Sequence, residues 1–227
     1  MKPFAIFPAL VHMQAQILYL FDPLCGWCYG FSDTIDQFSA KYKNQYEFVP
    51  IPGGMVTDDR VQPISTIETY ISDAFEKVEK MTGCKFGEEY INGLLRSKLV
   101  MMDSEPPSRA LITFRTFNAQ QSIAFAKALQ AAHYRDGRDY NDLNLYRELS
   151  AKFGLDPDVF MSRFEEEKMK QQVQQEFAWV RESGVQGFPT VVLRNGQQYY
   201  LISNGYVTLE ELEKTLEKAK ARVLKSS

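Results

Sequence analysis

Short apolar runs near both ends of the chain predict β-strands. Each run is rich in branched or aromatic residues, is too short for a helix and is bounded by residues that favour turns. The predicted strands are residues 17–21, 46–51, 190–193 and 197–202. Asn195-Gly196, between the last two, is typical of a tight β-hairpin.

Apolar residues recur every three or four positions in most of the remaining chain, which predicts helices. Phe31, Ile35, Phe38 and Tyr42 indicate a helix over residues 25–43. Strand patterns disappear between residues 59 and 183. The helices predicted there lie near 64–82, 87–98, 107–117, 119–135, 142–153 and 157–183, and a last helix follows over 208–223.

Helix-capping patterns support several of these boundaries. Asp156 precedes Pro157, which places a capping side chain before a proline at the first helical position. Ser104 begins a similar pattern, Ser-Glu-Pro-Pro. Thr208 and Glu211 have the spacing of a capping box before the last helix.

The predicted order is β, α, β, a helical block, a β-hairpin and α. Without the block, this is the order of a thioredoxin fold, so we predict an α/β protein: a thioredoxin-like fold with a large all-α insertion domain. Residues 15–58 and 184–227 would form the thioredoxin-like domain, and residues 59–183 the insertion. We expect residues 1–14 to be an N-terminal extension, disordered or foreign to the native protein. They are only faintly similar to a secretory signal peptide, because Pro8 breaks their apolar stretch.

Composition and charge exclude two classes of partner. The net charge is −3 and the charges are mixed along the chain, whereas a nucleic-acid binder would present a basic face. No apolar run approaches the roughly 20 residues of a membrane span. We therefore expect neither nucleic acid nor a membrane as a partner. We also expect a cytoplasmic location, with the periplasm as the alternative.

The candidate chemistry lies in Cys25-Gly26-Trp27-Cys28, between a predicted strand and a predicted helix. Disulfide exchange needs a thiolate that attacks and a second thiol that resolves the mixed disulfide. A helix N-terminus favours negative charge through its free N–H groups and its dipole. Cys25 at this position is the predicted nucleophile, and Cys28, one turn further on, is the predicted resolving thiol.

A metal site and a purely structural pair of thiols are the alternatives for this motif. A structural zinc ion needs about four ligands. Outside the N-terminal segment only Cys84 and His133 remain as soft ligands, and neither lies in a paired spacing. The strand–motif–helix context therefore favours redox chemistry.

A second element is Gly187-Phe188-Pro189-Thr190, at the start of a predicted strand. Proline cannot donate a hydrogen bond to a sheet, so its presence there needs an explanation. It is either an ordinary strand-edge proline or the cis-proline that thioredoxin-like proteins place beside their active-site sulfurs. The order of the elements favours the second interpretation.

Over about residues 15–223, these features resemble the DsbA family. The resemblance is carried by Asp22-Pro23 before Cys25-Gly-Trp-Cys28-Tyr-Gly-Phe31, by the helical insertion and by Gly-Phe-Pro-Thr190. It is strongest to the cytoplasmic, FrnE-like branch of protein-disulfide isomerases, to which residues 103–109 and 132–138 are also similar. The resemblance implies a thioredoxin fold with a helical insertion and dithiol–disulfide exchange through Cys25 and Cys28. It also implies a cis peptide at Phe188-Pro189.

We expect substrate to contact Gly26, Trp27, Phe188, Pro189 and Thr190. The periplasmic oxidase of this family has a histidine between its cysteines, so Gly26-Trp27 implies a less oxidising potential here. Phe188 is bulkier than the valine or threonine usual before the proline, which leaves the substrate preference open.

The predicted function is therefore a thiol–disulfide oxidoreductase or isomerase that acts on protein or small-molecule thiols and disulfides. We expect no bound cofactor, redox exchange with glutathione or another thiol, and a monomer or homodimer. The alternative is a glutathione-dependent transferase or isomerase of the kappa-class or hydroxychromene-carboxylate isomerase type. Those proteins usually have serine where this chain has Cys25.

Four sets of residues keep two interpretations each, and His133 keeps one. Trp27 either faces substrate or packs under the loop, and Asp22 either accepts a proton from Cys28 or only forms the turn before Pro23. The expectation for Cys84 is a small apolar side chain, with a further redox thiol as the alternative. His133 is expected to be a surface or hydrogen-bonded histidine. Finally, Glu105 and Arg109 either line a cleft or belong to a helix start.

Overall fold

The structure is a computed structural model that describes residues 15–226, apart from the side chains of residues 68–70, 72–73 and 225–226. Its elements in chain order are β1 (Gln16–Phe21), α1 (Gly26–Tyr42), β2 (Glu47–Pro52), β3 (Gln62–Pro63), α2 (Glu68–Thr82), β4 (Met101–Met102), α3 (Glu105–Phe117), α4 (Ser122–Tyr134), α5 (Leu143–Lys152), α6 (Pro157–Phe164), α7 (Glu167–Glu182), β5 (Thr190–Asn195), β6 (Gln198–Asn204) and α8 (Leu209–Ser226).

A four-stranded sheet of order β2-β1-β5-β6 organises the fold. β1 runs parallel to β2 and antiparallel to β5, so that Leu18 lies between Val49 and Val192. All six residues of β1 are buried, as expected for the central strand of a covered sheet. The predicted α/β thioredoxin fold with a helical insertion is confirmed.

Alternate residues of β1 enter different layers of the core, as the period of two requires. Ile17, Tyr19 and Phe21 pack in the main core together with α1. Leu18 and Leu20 pack on the opposite side, against Val180 of α7. α7 thus covers one face of the sheet although it lies inside the predicted insertion. The proposed domain boundaries stay a prediction.

Helix α1 forms as its apolar spacing predicts. Its buried face contains Phe31, Ile35, Phe38 and Tyr42. Helix α1 begins directly after β1 and a short turn, so the N-terminus of the helix lies at the carboxyl end of the central strand.

Two predicted helices differ in the structure. The segment expected as a helix over 87–98 forms a π-helical turn over Glu89–Gly93 and a 3₁₀ turn over Leu94–Arg96. A β-carbon at Gly87 would lie 1.8 Å from the carbonyl oxygen of Arg135, so the two backbones are in close contact where this segment begins.

The predicted helix over 157–183 is two helices, α6 and α7. Glu166 between them has extended backbone angles, φ −60° and ψ 134°. Acidic Glu167 then lies in the first turn of α7, where the helix dipole stabilises negative charge. The break lets Phe164 enter the core at the end of α6 while Met169 and Val173 pack from α7.

The absence of strands from residues 59–183 was also a wrong expectation. β3 and β4 pair antiparallel, with Gln62 opposite Met102 and Pro63 opposite Met101. Two residues per strand are too few to produce a period of two in the sequence. No helix in the part of the chain that the structure describes is long and apolar enough to cross a membrane.

Candidate active site

The two cysteines of residues 25–28 lie at the junction of β1 and α1. Cys25 has extended backbone angles, φ −93° and ψ 109°, and immediately precedes the helix. Its N–H donates to the carbonyl of Asp22 at 3.1 Å, and its own carbonyl accepts from the N–H groups of Cys28 and Tyr29 at 3.0 and 3.1 Å. Cys25 is therefore at the helix N-terminus, as predicted, and Cys28 is in the first turn.

The two thiols differ in accessibility. Cys25 is 7% exposed, whereas Cys28 is fully buried, and neither forms a disulfide in this structure. Burial raises the pKa of the Cys28 thiol well above its ordinary value, and the neighbouring Cys25 raises it further. Cys25 can therefore meet a substrate first, and Cys28 requires assistance to ionise.

The predicted proline element lies across from Cys25. The Phe188-Pro189 peptide is cis, as the resemblance implies. The Cys25 thiol donates to the carbonyl oxygen of Phe188, with 3.7 Å between the sulfur and the oxygen. The Phe188 ring lies directly over Gly53, where an added β-carbon would be 1.9 Å from the ring. The structure thus brings Cys25, Cys28, Phe188 and Pro189 together.

The other predicted substrate contacts have different surroundings. Gly26 lies under the rings of Phe75 and Phe86. A β-carbon added at Gly26 would be 3.6 Å from the first ring and 3.7 Å from the second, which is ordinary van der Waals contact. Trp27 is half-buried and packs between two apolar clusters. The Thr190 hydroxyl points into the fold, where it donates to the carbonyl of Gly187 at 2.8 Å.

The Asp22 carboxylate is fully buried beneath the motif. One oxygen accepts from the Leu24 N–H at 2.9 Å and from the Ser104 hydroxyl at 2.8 Å, and the other accepts from the Met55 N–H at 2.7 Å. Burial raises the pKa of Asp22, and these hydrogen bonds oppose the rise. The carboxylate is also near enough to raise the pKa of Cys28. Asp22 is thus both a turn residue and a buried carboxyl beside the resolving thiol.

Ser104 is a site residue that the sequence analysis assigned to another role. Its position before two prolines suggested a helix cap, but Ser104 makes no side-chain capping hydrogen bond to α3. Its hydroxyl instead reaches Asp22, 82 residues earlier, and accepts from the Val56 N–H at 3.0 Å. Asp103 accepts from the Glu105 N–H in its place. A capping pattern cannot reveal such a distant acceptor.

Tyr19 is a second residue that the sequence analysis did not single out. It lies on the face of β1 that meets α1, stacked on Phe21 with ring centroids 4.9 Å apart and next to Phe31 at 5.9 Å. Its buried hydroxyl has no hydrogen-bond partner among the described residues. Burial raises the pKa of Tyr19 well above its ordinary value, and the neighbouring sulfurs of Cys28 and Cys25 raise it further.

The remaining candidates lie outside this cluster of contacts. His133 is buried, with Nδ1 3.0 Å from the carbonyl oxygen of Arg138, and burial lowers its pKa to about 4. Cys84 is half-buried among apolar residues, and burial raises its pKa. Glu105 and Arg109 form an ion pair at 3.1 Å within α3.

Comparison with known proteins agrees with this geometry. The model of a family described as DSBA-like thioredoxin domain matches residues 16–217. A search of curated proteins finds no match. Similar solved structures include a protein from Nitrosomonas europaea provisionally assigned as a protein disulfide isomerase. It is 26% identical, with a TM-score of 0.81, over 92% of this chain and 98% of the other.

A second similar protein is the cytosolic disulfide reductase DsbM from Pseudomonas aeruginosa. It is 28% identical, with a TM-score of 0.77, over 92% of this chain and 99% of the other. A structure of DsbM with GSH gives 27% identity and a TM-score of 0.75, over 91% of this chain and 99% of the other.

Proposed function

Because the chain belongs to the DSBA-like thioredoxin domain family of thiol–disulfide oxidoreductases, we propose that it exchanges disulfides through Cys25 and Cys28, with glutathione as its thiol partner. One observation carries the proposal: a thiol at a helix N-terminus, 7% exposed, lies beside a fully buried thiol and opposite the cis peptide at Phe188-Pro189. This arrangement separates an attacking sulfur from a protected resolving sulfur.

In the reductase direction, the Cys25 thiolate attacks a substrate disulfide, R–S–S–R′. The Cys25–S–R mixed disulfide forms and R′S⁻ leaves, taking a proton from solvent. Cys28 then loses its proton and attacks the Cys25 sulfur, which closes the Cys25–Cys28 disulfide and releases RSH. Two molecules of glutathione return the pair to the dithiol and are themselves converted to glutathione disulfide.

We assign Asp22 as the group that accepts the proton of Cys28. Its carboxylate is fully buried and is held by donors from three separate segments, at Leu24, Met55 and Ser104. Burial raises the pKa of Asp22, so the carboxylate is a better proton acceptor than an exposed aspartate.

Glutathione and a cytoplasmic location are proposed by analogy. DsbM, which is 28% identical to this chain, is described as a cytosolic disulfide reductase, and one of its structures contains GSH. A reducing compartment would keep Cys25 and Cys28 as a dithiol, ready to reduce disulfides of proteins or of small molecules. We propose that no bound cofactor is needed, because electrons enter and leave through thiols.

The test is turnover of a small disulfide with glutathione, coupled to glutathione reductase and followed by NADPH oxidation. We expect activity in the wild-type protein, loss in Cys25→Ser and accumulation of a glutathione mixed disulfide in Cys28→Ser. Cys84→Ser is the matched control and should retain full activity. Full turnover in Cys28→Ser would instead indicate the monothiol, glutathione-dependent chemistry of the kappa-class type.

A further inference from the structure

The resolving sulfur of Cys28 faces a second buried group that the mechanism above does not use. Cys28 is fully buried, and so is the Tyr19 side chain, at 1% exposed. Both belong to the main core, with Tyr19 entering from β1 and Cys28 from α1. Phe31, one turn after Cys28 on α1, packs on the Tyr19 ring with centroids 5.9 Å apart, which brings the Cys28 side chain next to Tyr19. Burial raises the pKa of Tyr19, and the sulfurs of Cys28 and Cys25 raise it further.

The Tyr19 hydroxyl has one candidate acceptor, the Cys28 sulfur, but in the dithiol state it makes no formed hydrogen bond to any residue that the structure describes. Its ring is held in place, stacked on Phe21 and packed against Phe31, so the hydroxyl cannot turn away to solvent. A buried polar group without a partner costs free energy, and replacing the hydroxyl by hydrogen would remove that cost.

We propose that Tyr19 is a catalytic residue whose hydroxyl donates a hydrogen bond to the Cys28 sulfur as negative charge develops there during resolution of the mixed disulfide. The inference rests on the proposed dithiol function and deepens it. Burial disfavours the Cys28 thiolate, and a fixed donor beside the sulfur offsets part of that penalty. Because the bond strengthens only when the thiolate forms, it lowers the barrier without stabilising the resting dithiol.

The step is balanced without a further reactant. Cys28–SH gives its proton to Asp22, and the developing thiolate accepts the hydrogen bond from Tyr19. A bond forms between the sulfurs of Cys28 and Cys25 while the bond between Cys25 and the substrate sulfur breaks. The leaving thiolate regains the proton, so the net products are the Cys25–Cys28 disulfide and RSH. Tyr19 keeps its own proton throughout.

The experiment is a single turnover of the dithiol protein with glutathione disulfide, in wild type and Tyr19→Phe. Samples are quenched with acid, alkylated and analysed by mass spectrometry, which separates the dithiol, the Cys25–glutathione mixed disulfide and the Cys25–Cys28 disulfide. Tyr42→Phe is the matched control, because Tyr42 is also a buried tyrosine of the main core, packed on Phe38 and further along α1.

We expect Tyr19→Phe to leave the attack of Cys25 on glutathione disulfide unchanged. Closure of the Cys25–Cys28 disulfide should be slower by about 10- to 100-fold, the effect of losing one hydrogen bond to a charged atom. The mixed disulfide should therefore accumulate. The rate of disulfide closure increases with pH, and in Tyr19→Phe this increase should occur at a higher pH than in the wild type. Thermal unfolding of Tyr19→Phe should occur at or above the wild-type temperature, because no formed hydrogen bond is lost. Tyr42→Phe should behave as wild type in both steps.

The outcomes separate the two proposals. Equal closure rates in wild type and Tyr19→Phe would overturn the role of Tyr19 and leave the dithiol mechanism intact. Equal slowing of both steps, together with a lower unfolding temperature, would also overturn it, since that pattern is a structural defect. If wild type itself never closes the Cys25–Cys28 disulfide, the proposed function fails and the role of Tyr19 fails with it.

Discussion

Replacing Gly53 by alanine tests how the bulky residue before the cis-proline is accommodated. An added β-carbon at Gly53 would lie 1.9, 2.6 and 2.7 Å from three carbon atoms of the Phe188 ring. Non-bonded carbon atoms prefer separations of about 3.5–4.0 Å, so the ring or the loop must move by more than 1 Å. Gly53 is therefore required because of Phe188, and the carbonyl of Phe188 is the one that contacts the Cys25 thiol.

Overpacking of a well-filled site costs about 1–3 kcal/mol. We expect Gly53→Ala to lower the free energy of unfolding by an amount in that range and to slow disulfide exchange, because the displaced ring carries the Phe188 carbonyl with it. Phe188→Val removes the ring atoms that clash. In the double variant Gly53→Ala/Phe188→Val, most of the destabilisation caused by the alanine should disappear, which is a coupling between neighbouring residues.

The assay is urea denaturation of the wild type, both single variants and the double variant, together with the rate of reaction with glutathione disulfide. The Phe188→Val variant alone provides the control for loss of the ring, which is only partly buried. Unchanged stability in Gly53→Ala, or strictly additive effects in the double variant, would refute the contact between Gly53 and Phe188.

Three further predictions concern buried polar groups. Ser104→Ala removes a donor to Asp22 and an acceptor of the Val56 N–H, and should lower the free energy of unfolding in urea by about 1–3 kcal/mol; no loss would contradict the buried hydrogen bonds. His133 titrates near pH 4 in the fold and near 6.5 when unfolded, so unfolding takes up a proton between these values. Stability should then fall by roughly 3 kcal/mol from pH 6.5 to pH 4, and the His133→Phe variant should lack that component of the slope. Arg115→Met leaves Glu176, which is 2% exposed, without its ion-pair partner and should cost about 3–5 kcal/mol, most of it recovered when Glu176 is also replaced by leucine; urea midpoints of the two variants test this, and an Arg115→Met protein as stable as wild type would contradict it.

Much of the fold follows from local pattern. The apolar run of residues 17–21 and the helical spacing of Phe31, Ile35 and Phe38 predict β1 and α1 because each pattern matches the buried face of its own element. Two of the three predicted caps form: Asp156 accepts from the Asp158 and Val159 N–H groups, and Thr208 and Glu211 form the capping box, whereas Ser104 does not cap α3.

What the sequence does not reveal depends on contacts between distant segments. The hydrogen bond from Ser104 to Asp22 joins the start of α3 to the end of β1, and no local signal marks it. The break at Glu166 has neither glycine nor proline and is explained by where Phe164 and Met169 must pack. Tyr19 belongs to an apolar strand pattern, so its position next to Cys28 appears only in the structure.

The most direct test of the account is to equilibrate the protein in buffers of varied glutathione and glutathione disulfide, trap free thiols with an alkylating reagent and identify the cysteines by mass spectrometry. The account predicts one reversible disulfide between Cys25 and Cys28, with Cys84 free at every ratio. The reduction potential of this pair should lie between about −270 and −120 mV, the range from reductants to oxidants of this kind. Absence of an intramolecular disulfide at every ratio, or one that uses Cys84, would contradict the dithiol mechanism.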